Sequence, residues 1–566
     1  NYKALLIPNF VQKVGGKAFT FSVDFGTTNT HIEYVVDNNP PIPFDVKHGE
    51  DQILKMHKYD VVVEDTFLSD FMPDIIGSKY SYPMRTVLAE LSTSNWNTPM
   101  YAVADTNIPF IYENRTSPSY QTHLTDLKWS NDPTNVSRIE HYITNLLIMI
   151  RNKILLGGGD LSQTKVVWFY PMSMTVNRYE SFKNSWDTLY KKYIDANGQT
   201  IAMSESFAPY YETSQTAGTR GADSVFIDIG GGTTDVTMFQ NGNPVKLTSF
   251  RFAGNSIWGD GYAYDSSTNG FVSKYFEDTI KMRLVKNQGN IGTLLLVLEN
   301  IEKMKKSPEI ISFFFSLSNN HDLLSKNVNI DFSGILKADG ALKYTFIVFY
   351  TAIVYHIANL MKTNSLELPR YVVFSGTASK VLDILASSNQ TIELFTKLIF
   401  EEIYDKKYGS DGLTVIRPSK AKEVTCKGGA QHPVSQDYRE AQKLNSVLVG
   451  TDSKMLLDTL DIDLNYDTIT NKEIEAISDE VKRFIDFTFS LNKKFDFNQE
   501  FGADYNLHQI AKDECLRDIS LFIKQGINLR LAEAKQTGAT TKVDESLFFF
   551  PLVGVLNALS KKLAGK

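Results

Sequence analysis

The sequence predicts an α/β protein that carries a mainly helical C-terminal region. Apolar, strand-like segments recur far apart in the chain, and amphipathic helical patterns lie between them. Strands that alternate with helices are typical of α/β folds, whereas helical patterns dominate from about residue 436 onward. The four clearest strand segments are KAFTFSVDFG (17–26), KVVWFYP (165–171), SVFIDIGGG (224–232) and RYVVFSGTAS (370–379).

The clearest helical pattern covers residues 137–155, where apolar side chains repeat every three or four positions. Ser137 and Glu140 have the spacing of a capping box, so we expect this helix to begin there. Segments 471–489 and 510–535 have the same periodicity. They predict the helices of the C-terminal region.

The first strand segment ends in DFGTTNT (24–30), and another apolar run follows at once. This order predicts a strand, a tight turn and a second strand. The turn can present backbone N–H groups and hydroxyls to an anion, while Asp24 can face a metal ion. An ordinary hairpin with polar turn residues explains this segment equally well.

The segment DIGGGTTD (228–235) repeats that chemistry about 200 residues later, again at the end of an apolar strand. One glycine-rich turn is weak evidence, but two suggest a clamp that holds a polyphosphate from opposite sides. Asp24 and Asp228 would then face its divalent cation. Mg²⁺ prefers oxygen ligands and keeps several waters, so two acids suffice.

A third segment, FSGTAS (374–379), joins a buried strand to a predicted helix. Gly376 allows the backbone to approach a flat ligand closely, and the start of a helix offers free N–H groups. The alternative is a plain strand-to-helix turn in which Thr377 caps the helix.

Taken together and in this order, the three segments resemble the two phosphate motifs and the adenosine motif of the actin, sugar-kinase and heat-shock-chaperone ATPase superfamily. Intermediate segments are more similar to its chaperone-type and bacterial actin-like branches. The resemblance covers about residues 18–435. It implies a two-lobed actin-like ATPase fold with a nucleotide cleft, with lobe I at 18–221, lobe II at 222–435 and the helical region at 436–566.

The resemblance also implies binding of ATP or ADP with Mg²⁺ and assigns roles to individual residues. Asp24 and Asp228 would hold the metal, and the catalytic residues would be Lys128, Glu205, Asp228 and Thr233. The nucleotide-binding residues would be Gly26, Thr27, Thr28, Asn29, Gly230, Gly231, Gly232, Thr233, Glu302, Lys305, Lys306, Gly376, Thr377, Ser379 and Lys380.

The chain also departs from the chaperone pattern. Ser375 and Ser379 stand where family chaperones carry a second glycine and an arginine, so Lys380 would have to replace the stacking cation in part. Pro433 interrupts the closing helix expected near KGGAQHPVS (427–435). The region after residue 435 has no evident run of alternating strands like a chaperone's peptide-binding domain.

Composition restricts the partners and the compartment. A net charge of −7 and a pI near 5.8 give no electrostatic case for nucleic acid. The two cysteines, Cys426 and Cys515, suit a reducing compartment, so we expect a cytoplasmic protein. The most apolar run, residues 547–559, is too short for a bilayer span of about 20 residues, and no transmembrane span is predicted.

Several functions are compatible with these features. The first is a slow, chaperone-like ATPase whose lobe closure controls partner binding. The second is an actin-like protein that self-assembles into filaments under the control of ATP. A pseudo-ATPase scaffold that binds nucleotide without hydrolysing it is also open, whereas a small-molecule kinase is disfavoured because no separate acid motif follows the first phosphate turn.

The C-terminal region ends in the apolar run 547–559, which would be an aggregation hazard if it were exposed. We therefore expect it to pack on the lobes, on itself or on a partner. Docking on the lobes would let nucleotide-driven closure reach this region through contacts that differ between the open and closed states.

Overall fold

The structure is a computed structural model. It describes residues 15–26 and 29–47, short pieces of 52–129, and, apart from a few single or paired positions, residues 133–287, 294–448, 464–537 and 541–565. The strands are β1 Phe19–Phe25, β2 Asn29–Val36, β3 Ile42–Pro43, β4 Gln52–Ile53, β5 Ile75–Ile76, β6 Met84–Arg85, β7 Leu88–Leu91, β8 Tyr120–Leu124, β9 Lys165–Tyr170, β10 Ile201–Ser204, β11 Ser224–Ile229, β12 Thr234–Gln240, β13 Asn243–Phe250, β14 Tyr371–Ser375 and β15 Thr414–Ile416.

In the described residues, helices alternate with strands from β8 to β15 and then continue without strands to the C-terminal end of the described chain. They are α1 Pro133–Leu156, α2 Val176–Tyr193, α3 Ala208–Thr216, α4 Gly254–Trp258, α5 Gly270–Tyr275, α6 Met282–Lys286, α7 Leu294–Lys303, α8 Ser307–Ser316, α9 His321–Ser325, α10 Phe332–Lys337, α11 Lys343–Thr363, α12 Val381–Leu385, α13 Asn389–Tyr404, α14 Ala421–Gln431, α15 Tyr438–Lys443, α16 Asn471–Ser490, α17 Phe497–Phe501, α18 His508–Cys515, α19 Ile519–Thr537 and α20 Phe549–Leu563.

Two mixed sheets share one topology. The first has the order β10-β9-β1-β2-β3, with β6 also paired to β2, and the second has the order β13-β12-β11-β14-β15. In each sheet a central strand pairs antiparallel with the strand that follows it and parallel with a later strand. All four predicted strand segments are therefore strands, and β1 and β11 occupy equivalent central positions.

The helix predicted for residues 137–155 exists, but the predicted start is wrong. Helix α1 begins at Pro133, one turn before Ser137. Proline is favoured in the first turn of a helix, because its missing N–H has no partner there and its φ is already helical. Since proline can start the helix, Ser137 lies inside it, and its carbonyl faces the ring of His141.

The C-terminal helices pack into the second lobe. One continuous core joins sheet β11–β15, helix α11 and helices α16 to α20. The predicted apolar face of α16 is buried, and so is the run 547–559, which forms most of α20. Among the described residues, α11 alone has the length and apolar composition of a membrane-crossing helix, but most of it is buried in this core.

Helix α14 lies between the lobes. It contacts β1, β2 and α3 of lobe I, and Cys426 in it donates from Sγ to the carbonyl of His31 at 3.5 Å. A Cβ at Gly428 would overlap the Ala208 carbonyl group, and a Cβ at Gly429 would lie 2.7 Å from Ser22 Oγ. The two glycines thus let the helix backbone approach lobe I more closely than any other residue would permit.

Beyond α14, which ends two residues before Pro433, the chain connects the lobes a second time. Tyr438 of α15 stacks on Tyr179 of lobe I with ring centroids 4.3 Å apart. A few residues later, the backbone of Leu444 and Ser446 pairs with Leu247 on the edge of the second sheet. This segment, residues 438–446, bridges both lobes.

The substitution Gly428→Ala tests the approach of α14 to lobe I. In a free helix alanine would stabilise by about 1 kcal/mol relative to glycine, but here the new methyl group overlaps the Ala208 carbonyl. We expect a net loss of about 1–3 kcal/mol, typical of an overpacked interior, in thermal unfolding. Gly409→Ala, where a Cβ meets nothing within 4 Å, is the control. Equal stability of the two variants would contradict this contact.

Candidate nucleotide site

The first glycine turn follows β1, as the sequence predicts. Asp24 is buried near the end of β1, and the N–H of Gly26 donates to the carbonyl of Asn29 at 3.2 Å, which closes the turn into β2. Thr27 and Thr28, the predicted phosphate-binding tip, lie outside the described residues. The described part of this turn is a tight hairpin.

The second glycine turn joins β11 to β12. The N–H of Gly230 donates to the carbonyl of Thr233 at 2.9 Å, so the intervening Gly231 and Gly232 form the tip of the loop. Gly231 and Gly232 are half-buried and Thr233 is buried. Asp228 lies near the end of β11, two residues before this loop.

A third segment, residues 253–256, packs on this loop, and the sequence reasoning missed it. The N–H groups of Gly254 and Asn255, at the start of α4, donate to the carbonyls of Gly230 and Gly231 at 3.1 and 2.7 Å. A Cβ at Gly254 would come within 3.0 Å of Ala378. The sequence signal for this segment is a glycine shortly after a strand, in FAGNS (252–256).

Gly376 brings the adenosine motif against Asp228. It has a φ of +80°, which non-glycine residues rarely adopt, and a Cβ there would overlap Asp228 Oδ1 and the Ile229 carbonyl. Ser375 Oγ donates to Asp228 Oδ2 at 3.2 Å. The loops 230–233, 253–256 and 376–379 therefore meet beside one carboxylate.

The other predicted residues of the adenosine motif occupy different environments. Thr377 is half-buried in a 3₁₀ turn whose N-cap is Gly376, so the plain turn capped by Thr377 does not occur. Ser379 Oγ donates to the Gly376 carbonyl at 2.7 Å and faces its own loop. Lys380 is exposed. It directly follows Ser379, the position at which family chaperones carry an arginine.

Glu302, Lys305 and Lys306 lie where α7 turns into α8, and all three are exposed. This turn is held near the end of α4, because the N–H of Ser307 donates to Asp260 Oδ2 at 3.3 Å. The three side chains thus lie on the lobe II side, at the end of α4 that points away from the glycine loops.

Lys128 and Glu205 form a direct ion pair, which the sequence predicted only as two separate roles. Lys128 is 2% exposed and belongs to a 3₁₀ turn, while Glu205 follows β10. Arg178 fixes this turn, because its Nε and Nη2 donate to the Lys128 carbonyl at 3.1 and 3.0 Å. Burial lowers the pKa of Arg178 to about 10.

Asp235 is a further acid that the sequence reasoning quoted in DIGGGTTD but assigned no role. It is the cross-strand partner of Asp228, and its Oδ1 is buried without a hydrogen-bond partner. Burial, together with the negative charges of Glu205 and Asp228, raises its pKa to about 7. A carboxyl group with this pKa can accept a proton near neutral pH.

Helix α14 contacts Asp228 directly and the cross-strand neighbour of Asp24, so it links the surroundings of the two predicted metal ligands. Thr425 Oγ1 donates to Asp228 Oδ2 at 3.2 Å, and the next residue, Cys426, contacts His31, the cross-strand partner of Asp24. The described residues contain no cluster of three or more His, Cys, Asp or Glu side chains that could hold a metal. Two carboxylates fit Mg²⁺, which keeps most of its waters, better than a metal that needs a full protein cage.

Comparisons with known proteins give weak likenesses. No protein-family model and no curated protein matches the chain. Similar solved structures include MreB5 of Spiroplasma citri bound to ADP (TM-score 0.32, 12% identity, 73% of this chain and 94% of that one). Two others are the ethanolamine utilization protein EutJ from Carboxydothermus hydrogenoformans (0.30, 11%, 73% and 89%) and a non-polymerising mutant of MamK bound to AMPPNP (0.32, 9%, 74% and 98%).

The chain has a two-lobed, actin-like fold. The two sheets of equal topology, the flanking helices and the glycine turn after each central strand are the features that define it here. The fold prediction and the mainly helical C-terminal region are thus confirmed, whereas the domain boundaries and the roles of individual residues stay predictions.

The raised pKa of Asp235 predicts a pH-dependent effect of Asp235→Asn in the protein free of metal and nucleotide. Because the folded pKa is about 7 and the ordinary value 3.8, folding takes up a proton between these pH values. The free energy of unfolding therefore falls as pH rises through this window and stays low above it. The variant, which has no charge to bury, should gain unfolding temperature relative to wild type at pH 8 but much less at pH 5.

Thermal unfolding in a chelating buffer at the two pH values measures this difference. The exposed Asp278→Asn is the matched control and should show no such pH dependence. A gain for Asp235→Asn that is equal at pH 5 and pH 8 would contradict the raised pKa.

Proposed function

We propose that this protein binds Mg-ATP between its lobes and hydrolyses it slowly, and that the nucleotide controls lobe closure. The observation that carries the proposal is the meeting of the three loops 230–233, 253–256 and 376–379 beside Asp228. The Lys128–Glu205 pair is near enough for the charge of Glu205 to act on Asp235, the cross-strand partner of Asp228. Glycine-rich turns suit phosphates because their backbone N–H groups can approach the ligand closely.

Phosphoryl transfer depends on positioning and charge neutralisation, and the residues of this cluster can provide both. Gly231, Gly232 and Thr233 would cradle phosphate oxygens from lobe II. Lys128 would neutralise the charge that develops on the transferred phosphoryl group. Asp24 and Asp228 would hold Mg²⁺, which would supply further charge neutralisation.

Two acids are available to act on the attacking water. Glu205 is tied to Lys128 and is suited to orient the water. Asp235, which is buried on β12 opposite Asp228, would accept its proton. In this proposal the proton acceptor, Asp235, belongs to lobe II and the cation, Lys128, belongs to lobe I. Hydrolysis then depends on the approach of the two lobes.

Lobe closure would in turn govern a protein partner or self-assembly. Sedimentation of the pure protein with and without ATP separates these two outcomes, because self-assembly needs no second protein. We also propose a cytoplasmic location, which is supported by the two cysteines, both buried free thiols.

Gly376→Ala tests whether nucleotide binds at the meeting point of the loops. We expect the wild type to bind ATP only with Mg²⁺ and Gly376→Ala to bind it at least about tenfold more weakly, because the new methyl group pushes on Asp228. Gly412→Ala is the control, since Gly412 also has a positive φ but no atom within 4 Å of its Cβ position. Isothermal calorimetry gives both affinities, and a wild type that binds neither ATP nor ADP would refute the proposal.

Lys128→Ala and Glu205→Ala test the chemical step. Each should lower the rate of phosphate release at least about tenfold, or roughly 1.4 kcal/mol of transition-state stabilisation, and largely spare ATP affinity. Both residues act on the transferred group rather than on the adenosine. Lys153→Ala, which removes another buried lysine of lobe I that is paired with Asp45, is the control. Unchanged phosphate release in both variants would show that these positions are not catalytic, and a wild type that binds ATP without releasing phosphate would be a pseudo-ATPase.

A further inference from the structure

The segment 251–259 lies between the second glycine loop and the C-terminal helices. On the side of the loop, Gly254 and Asn255 donate to the carbonyls of Gly230 and Gly231, and Thr234 Oγ1 donates to the Phe252 carbonyl at 2.7 Å. The position of residues 230–234 is therefore fixed by the position of this segment.

An ion-pair network ties the other side of the segment to the C-terminal region. The backbone N–H of Arg251 donates to Glu545 Oε2 at 3.2 Å, and its guanidinium donates to Glu533 Oε2 at 3.0 Å. Arg530 binds the same two carboxylates, at 2.6 Å to Glu545 and 2.8 Å to Glu533. Two arginines and two glutamates thus join the residue after β13 to α19 and to the segment that precedes α20.

The electrostatic balance of this network depends on all four groups. Glu545 is 8% exposed; burial by itself would raise its pKa, but Arg530 and Arg251 outweigh burial and lower the pKa. Arg530 and Glu545 form the buried pair of the network, with side chains 14% and 8% exposed, whereas the side chains of Arg251 and Glu533 are 31% and 44% exposed. Removing one partner of the buried pair would leave the other charge buried without compensation. Arg251 is tied to this pair by its backbone N–H and by its guanidinium. The network therefore holds Arg251 in one place.

Helix α20 extends the contact along the whole segment. The ring of Phe549 stacks on Phe250 and Phe252, with centroids 4.2 and 4.9 Å apart. Near the other end, Asn557 Nδ2 donates to the Gly259 carbonyl at 3.4 Å. The segment that positions the glycine loop is thus packed against α20 at both ends.

We propose that the C-terminal region positions the second phosphate loop, with Arg251 and Glu545 as positioning residues. This inference rests on the proposed function and adds a role to residues 464–566, which the family resemblance does not cover. No lobe movement is needed for the contact, because the C-terminal helices are part of the lobe II core. Loss of the network would let segment 251–259 shift, and the glycine loop would lose its fixed geometry.

Arg251→Ala, Arg251→Lys and the control Lys512→Ala test the proposal in the full-length protein. Lys512 pairs with Asp486 at 2.7 Å, and both residues belong to C-terminal helices. We expect Arg251→Ala to weaken Mg-ATP binding at least about fivefold in calorimetry at a temperature well below its own unfolding transition. Arg251→Lys, which keeps a cation, should recover most of the affinity, and Lys512→Ala should bind as wild type does.

The outcomes separate this inference from the proposed function. A wild type that binds no nucleotide refutes the proposed function and, with it, this inference. A wild type that binds and a folded Arg251→Ala of equal affinity refute the inference alone. A merely structural role would lower the unfolding temperature of Arg251→Ala and leave the affinity unchanged.

Hydrogen exchange of the wild type gives a second test that needs no variant. If the C-terminal region positions the loop, linkage requires that Mg-ATP in turn stabilises the region. Exchange should slow at residues 251–259 and 545–560 and stay unchanged in helix α17. Equal exchange at 545–560 with and without Mg-ATP would overturn the proposal, even if Arg251→Ala failed to fold.

Discussion

The close approach of helix α14 to lobe I is the contact on which the arrangement of the site depends. Gly428 and Gly429 let the helix backbone lie directly against Ala208 and Ser22, where any side chain would collide. From this position Thr425 bonds Asp228 of lobe II, and Cys426 contacts the strand that pairs with Asp24. One short helix thereby connects the strand ends that carry the two acids.

The charged side chains at the site influence one another and are best described together. Lys128 compensates Glu205 across their ion pair, and Asp228 accepts hydrogen bonds from Ser375 and Thr425. Asp235 is the remaining acid, and its raised pKa follows from burial next to these neighbours. Because like charges this close cannot all ionise freely, the crowding that costs stability also raises the pKa of this one carboxyl group.

The C-terminal region is built into lobe II instead of standing beside the ATPase lobes. Its helices share a core with α11 and the second sheet, and α20 packs along segment 251–259. The apolar run 547–559, which would be a hazard if exposed, becomes the inner layer of that core. Any effect of nucleotide on this region therefore passes through lobe II itself, while residues 438–446 provide a separate connection between the lobes.

The sequence by itself determined the strands, the glycine turns and the helical C-terminal region, because these depend on local periodicity and on backbone requirements of neighbouring residues. It also singled out Lys128 and Glu205, but only through the family resemblance. It misplaced the start of α1 and overlooked Gly254, Asn255 and Asp235. Only the tertiary structure decided that residues 230–233, 253–256 and 376–379 meet, that Asp235 is buried among other acids and that Arg251 is held by Glu545. Those facts depend on packing and charge pairing between residues far apart in the chain. Such long-range contacts produce no periodic pattern that could be recognised in the sequence.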